Sequence, residues 1–137
     1  MQNIVGVNFV KLSVVFKKPE LYNNLLVGND HVGPIDFFGK NEAVISQVDF
    51  RKSKKKANPQ LYLLSIEGRR IKKKEKFEFS DSNFSYSQPT FSADGQKIYF
   101  VSNLPCEKNG TNIFVTSKID GIWSEPELVS NICSDFN

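Results

Sequence analysis

The sequence predicts an all-β chain built from repeated four-stranded antiparallel units. Three observations carry that reading. Short apolar runs of strand length recur between turn residues: Ala43-Val44-Ile45, Leu61 to Leu64, Tyr99-Phe100-Val101 and Ile113-Phe114-Val115. Tight turn signals, Asp94-Gly95, Glu67-Gly68 and Asp120-Gly121, punctuate them. Motifs also recur along the chain, which is the mark of a repeat architecture.

The stretch Gln88 to Asn103 shows the unit most clearly. Pro89 to Ser92 reads as one strand and Lys97 to Ser102 as the next. Asp94-Gly95 between them reads as a two-residue type I′ turn, which needs positive φ at both central positions. Ile98 and Phe100 point one way, Tyr99 and Val101 the other. Both faces are apolar, so this strand expects cover on both sides.

An earlier copy can be aligned to it. Gly33-Pro34-Ile35-Asp36-Phe37 matches Gln88-Pro89-Thr90-Phe91, and Glu42 to Val48 matches Lys97 to Ser102. Asn58 to Ser65 matches Gly110 to Ser117, and Glu67-Gly68 matches Asp120-Gly121. Ile71 to Phe79 then matches Trp123 to Val129. A third copy is glimpsed in Phe16 to Asn23, whose Pro19-Glu20-Leu21 resembles Pro126-Glu127-Leu128. Calling the strands of a unit a to d, residues 1–24 are strands c and d of a first unit. Complete units follow at 31–79 and 84–130, and 131–137 leads toward another. Ser80-Asp81-Ser82-Asn83-Phe84 and Cys133-Ser134-Asp135-Phe136-Asn137 are similar lead-ins.

Units of this length and pattern fit a β-propeller segment: two complete four-stranded blades plus the outer half of a preceding one, not a closed ring. Inner strands would be covered on both faces. The outer strand d should be polar, and Lys72 to Lys76 and Ser124 to Glu127 are so; charge and proline suit an edge. The a–b and c–d turns are short and share one end of the sheet. The longer b–c loops (51–59, 104–110) and d–a connections (22–33, 80–87) share the other, where loop-borne function is expected. Two blades cannot close a ring, so an isolated chain should be marginal or oligomeric through open blade faces.

Composition narrows the classes of function. A formal net charge of +3 is too small to argue for nucleic acid, and no apolar run is long enough to span a membrane. Ile4 to Phe16 lacks the basic lead and small-residue cleavage site of a signal peptide. His31 has no nucleophile motif near it and reads as a turn-packing residue. Asp94 alone cannot hold calcium. Cys106 and Cys133 fall at the same predicted end, so a disulfide between them is topologically open but required by nothing. The basic clusters at 51–56 and 69–76 read as a solvated loop and a charged edge, since no aromatic residues interleave them. Trp123 should pack between blades. No catalytic, cofactor-binding or metal-ligating residue is assigned, and no cofactor is expected.

The run Pro89 to Asn103 resembles the TolB-type, WD-repeat-like propeller blade, whose core reads Pro-x-Phe-Ser-x-Asp-Gly before an apolar strand ending Phe-x-Ser. Thr111 to Ile132, with Gly121-x-Trp123-x-x-Pro126-x-x-Val129, is similar to propellers of OmpA-family and type IX secretion-associated periplasmic proteins of Bacteroidota. There the last position is usually Leu. His31-Val32-Gly33-Pro34 resembles the His-x-Gly-Pro opening of a blade in that branch. Gly39-Lys40-Asn41 departs from the Asp-Gly turn, and Cys106 to Asn109 stands where that branch has a glycine-rich loop. The resemblance implies a non-enzymatic scaffold, periplasmic or outer-membrane-associated, that binds envelope proteins. Two alternatives share the repeat: the accessory propeller of a prolyl-oligopeptidase-type peptidase, and a TolB-like protein docking a peptidoglycan-associated lipoprotein.

Overall fold

Nine strands account for all the regular structure among residues 31–49, 57–107 and 110–129, which the computed structural model describes. The first four, β1 (His31–Phe38), β2 (Glu42–Val48), β3 (Gln60–Glu67) and β4 (Arg70–Lys76), form an antiparallel sheet in chain order. A second antiparallel sheet runs β5 (Tyr86–Phe91), β6 (Lys97–Ser102), β7 (Asn112–Ile119) and β8 (Ile122–Trp123), with β9 (Glu127–Leu128) also paired to β7. Neither sheet closes on itself.

The expected fourth strand of the second unit is present but broken in two. Lys118 pairs with Trp123, and Phe114 with Leu128, so one extra residue is inserted on the outer side. Pro126 lies in that interruption, where a missing N–H costs no ladder bond. Ser124 bridges the break: its carbonyl accepts from the Thr116 hydroxyl at 2.7 Å, and its hydroxyl accepts from Ser117 N–H at 3.1 Å.

The two sheets repeat in register. The β2–β3 ladder runs from Glu42↔Ser65 to Gln47↔Gln60, and the β6–β7 ladder from Lys97↔Ser117 to Ser102↔Asn112, without slippage in either. Each first strand slips by one residue against its neighbour, between Val32 and Ile35 in one sheet and between Ser87 and Thr90 in the other. A proline, Pro34 or Pro89, lies inside each slip, as a bulge allows.

The turns differ from the sequence expectation in detail. Asp94-Gly95 is not a two-residue type I′ turn. Only Gly95 has positive φ, at 70°, and the loop extends from Ser92 to Gln96. Gly95 N–H donates to the Ser92 carbonyl at 2.9 Å, and Ser92 N–H to the Lys97 carbonyl at 2.8 Å. Asp94 contributes its carboxylate instead of a left-handed backbone. The type I′ pattern belongs to Asp120-Gly121, where φ is 50° and 82° and Ile119 pairs with Ile122. In the first sheet the turn residues are Gly68-Arg69, because Glu67 itself pairs with Arg70.

The sheets pack face to back. Val44 and Leu61 of the first sheet meet Ile98, Phe100 and Phe114 of the second, with Phe77 from the connection between them and Tyr86 from the start of β5. Val44 corresponds in register to Tyr99, not to Phe100. The second sheet therefore lays on the first the face opposite to the one it receives. The other face of the first sheet carries a second cluster: Ala43, Ile45, Leu64, Ile66 and Ile71, with Tyr62 against it. Asp36 ties the first strands together, accepting from Phe91 N–H at 2.7 Å and from the Thr90 hydroxyl at 3.1 Å.

Burial departs from expectation in both sheets: β1 is exposed along most of its length, with Phe37 at 49%, and β6 and β7 are fully covered on one face only. The interior of β2 is buried on both faces, as predicted. β6 alternates: Ile98, Phe100 and Ser102 are buried, Tyr99 and Val101 only half-buried. Cover reaches one face of this strand, not both. The predicted strands at 1–24, the basic loop 51–56, Cys133 with its possible pairing, and the lead-in 131–137 lie outside the described residues.

Candidate functional site

Where the first strands of the two sheets touch, the outer ones diverge. The space between them is an open cleft of about 410 Å³. Glu42, Leu63 and Ser65 form one wall, and the chain leaving β4, Glu75 to Glu78, forms the floor. Lys118 and the turn Gly121 to Trp123 form the opposite wall. Strand alternation explains the placement. Glu42, Ser65 and Leu63 share the face of Val44, while Lys118 and Trp123 pair on the face of Phe114.

The cleft is polar with an aromatic side. Lys118 Nζ lies 3.6 Å from Glu42 Oε1 and 5.7 Å from the centre of the Trp123 ring. Trp123 stands edge-on to Phe77 at 5.8 Å and is tilted against Phe91 at 6.4 Å. Trp123 thus packs between the two sheets. Its ring is largely committed to protein contacts. Ser65 is the hydroxyl of the cleft, and no imidazole stands beside it. His31 pairs with Val48, at the opposite end of β2 from Glu42, on the order of 20 Å away at ~3.4 Å per residue. The arrangement can hold charged or amide groups by ion pairing and hydrogen bonding. It does not assemble a nucleophile with a base.

The end carrying the longer loops is built differently. The Gln60 side-chain amide donates to the Phe84 carbonyl at 2.8 Å, and its oxygen accepts from the Ser80 hydroxyl at 2.9 Å. Asn58 donates to the Ser82 carbonyl at 3.0 Å, and Tyr86 N–H to the Pro59 carbonyl at 2.8 Å. Ser85 N–H donates to Asn103 Oδ1 at 2.7 Å. The connection 77–85 is thereby stitched to the loops after β2 and β6. The Tyr86 hydroxyl donates to the Phe79 carbonyl at 3.2 Å and accepts from Asp81 N–H at 3.1 Å. Burial raises the pKa of this phenol above its ordinary value, partly offset by the Asp81 N–H.

The remaining residues singled out from sequence fall as follows. Asp94 is a turn residue: it accepts from the Ser92 hydroxyl at 2.6 Å and from Gln96 N–H at 3.0 Å. The Ser92 bond, then the Gln96 bond, hold its carboxyl below the usual carboxylate range. Cys106 accepts a contact from the Asn112 amide at 3.0 Å. In the 69–76 cluster, Lys72 pairs with Glu67 at 2.9 Å and Lys73 with Glu75 at 2.7 Å, while Lys74 lies 4.5 Å above the Tyr62 ring and reaches Gln47. These lysines are engaged within their own sheet, as a charged edge would be.

Sequence reasoning did not single out Asp36, Glu42, Gln60 or Lys118. No motif marks them, and each acts through a residue distant in the chain. The repeat offered one usable signal. Gln60 corresponds to Asn112, an amide at the start of the third strand in each unit, where a buried polar side chain needs a loop partner. Set against known protein families, characterised proteins and solved structures, the chain matches none.

Proposed function

We propose that this chain is a segment of a β-propeller acting as a non-enzymatic, protein-binding scaffold in the bacterial cell envelope. The observation that supports it is the face-to-back stacking of two four-stranded meanders in the same register. Such stacking adds units in one direction, as propeller blades and other repeat arrays do. The inner strands touch and the outer strands diverge, which gives the wedge that a ring of blades requires. The envelope location rests on the TolB-type and OmpA-family resemblance of residues 86–132.

The surface best suited to a partner is the long-loop end. Within that end, the connection 77–85 is held before any partner arrives: Asn58 and Gln60 donate to the Ser82 and Phe84 carbonyls and Asn103 accepts from Ser85 N–H, so little of its ordering entropy remains to be lost on binding. In-cell photo-cross-linking tests this. A cross-linker at exposed Asn83 is expected to capture a defined envelope protein. The same group at exposed Lys40, on the tight-turn end, is expected to capture none. Adducts formed equally from both positions, or with cytoplasmic proteins alone, overturn the proposal.

A further inference from the structure

The outward face of the second sheet is apolar and only partly covered. Tyr99 and Val101 on β6 and Ile113 and Val115 on β7 alternate with the buried residues, and all four are only half-buried. Ile119 and Ile122, which pair across the Asp120-Gly121 turn, continue that face and are 61% and 68% exposed. None of the six belongs to either apolar cluster. An antiparallel sheet with one face in water normally reads polar on that face. This one reads Tyr, Val, Ile, Val, Ile, Ile, the composition of a surface meant to be covered.

The first sheet shows that this is particular to the second. At the places of Ile119 and Ile122 the first sheet has Glu67 and Arg70, also paired across their turn. The second sheet does not simply repeat the face that the first offers it. Its apolar area extends over the outer turn, where the first sheet is charged.

We infer that this face pairs with the same face of a second copy of this chain, about a two-fold axis. A head-to-tail copy would need the outer face of the first sheet, where Ala43, Ile45 and Leu64 are already at 0% exposure and only the β1 edge, Ile35 and Phe37, is open at 36% and 49%. A two-fold pairing asks for no complementary surface elsewhere, because one patch serves both partners. The patch suits this: Lys97 and Glu127 are exposed on the same face, on different strands. A patch bearing both signs at separate points can complement itself when turned over. Four strands at ~4.8 Å spacing and about seven residues at ~3.4 Å rise give roughly 19 by 23 Å, on the order of 450 Å² in projection. Side-chain relief adds to that, placing the contact between a transient encounter and the ~800 Å² per partner of a standard interface. Such a contact is small, and because area alone does not fix affinity, micromolar association is the value the experiment tests. This inference rests on the burial of the second sheet alone and is independent of the envelope reading.

Sedimentation equilibrium of the full chain decides it. At about 100 µM, well above a micromolar Kd, the wild type is expected at twice its 15.6 kDa mass. Val115→Glu is expected to raise Kd at least tenfold. Because Val115 is half-buried and its variant could unfold, the double change Ile119→Lys with Ile122→Lys carries the test independently. Both side chains are mostly in solvent, so the strand signal in circular dichroism should persist while the dimer is lost. A wild type that stays monomeric at this concentration overturns the inference. So does a dimer that survives both variants but dissociates with Phe37→Glu on the exposed side of β1.

Discussion

The two sheets share a ladder register yet differ in what happens to their second strands. In β2, Ala43 through Gln47 are all buried. In β6, every second residue remains half-exposed. Both strands are apolar on both faces, so the amino-acid pattern alone does not separate them. Cover does. The second sheet supplies one face of β2, and β6 receives the first sheet on one side only. An apolar residue on a strand states a demand for burial, and the position of its unit in the stack decides whether the demand is met.

Truncations measure that difference directly. Phe100→Ala removes a ring stacked between Phe79 and Phe114 at 5.8 and 6.3 Å. It should cost about 3–5 kcal/mol of unfolding free energy in urea titration. Val101→Ala, its neighbour on the less covered face, should cost less, about 1 kcal/mol, since its side chain is only partly withdrawn from water. Equal losses would break the comparison.

A smaller effect is expected at the glycines. A Cβ on Gly95 would lie 2.4 Å from the Phe38 ring of the other sheet, and its φ is 70°. Gly95→Ala should cost about 2 kcal/mol, from the left-handed conformation plus displacement of the ring. Gly121 has φ of 82° but nothing within 4 Å. Gly121→Ala should cost about 1 kcal/mol, from backbone alone. The difference in thermal midpoint between these variants reads the inter-sheet contact.

Tyr86→Phe should cost about 1–2 kcal/mol by leaving Asp81 N–H and the Phe79 carbonyl without their shared partner. The wild type should also lose stability in alkali. The folded pKa of Tyr86 is raised, so its contribution is fully present below the ordinary tyrosine value of about 10 and is lost as pH rises through the folded value. Tyr86→Phe should flatten that loss.

The smallest effect lies at Asp94. Its folded pKa is lowered, so its contribution is present above the ordinary carboxylate range and fades as pH falls through the depressed value. Asp94→Asn should remove the acid-side dependence of the β5–β6 hairpin, seen in hydrogen exchange of Gln96, and leave the sheet–sheet core unchanged.

Much of the fold was legible in the chain. The strand positions, the antiparallel order within each unit and the charged edge at Lys72 to Lys76 follow from short apolar runs, turn residues and the internal repeat. The site was legible only in outline. The shared end of the longer loops follows from strand parity, but the Gln60, Asn58 and Asn103 bonds that fix it do not. The cleft was not legible at all, because Glu42 and Lys118 meet only when two sheets stack.

Local physics set what a short stretch could decide. Pleat alternation sorted Ile98 and Phe100 from Tyr99 and Val101, and proline placed the bulges at Pro34 and Pro89. The sequence also left Asp94-Gly95 and Asp120-Gly121 looking alike. Tertiary structure separated them: the β5–β6 loop places Gly95 against Phe38 of the other sheet, while the β7–β8 turn has no such neighbour at Gly121. It likewise decided which apolar face is core and which is surface. Burial depends on what another part of the chain places opposite, and no strand encodes its own cover.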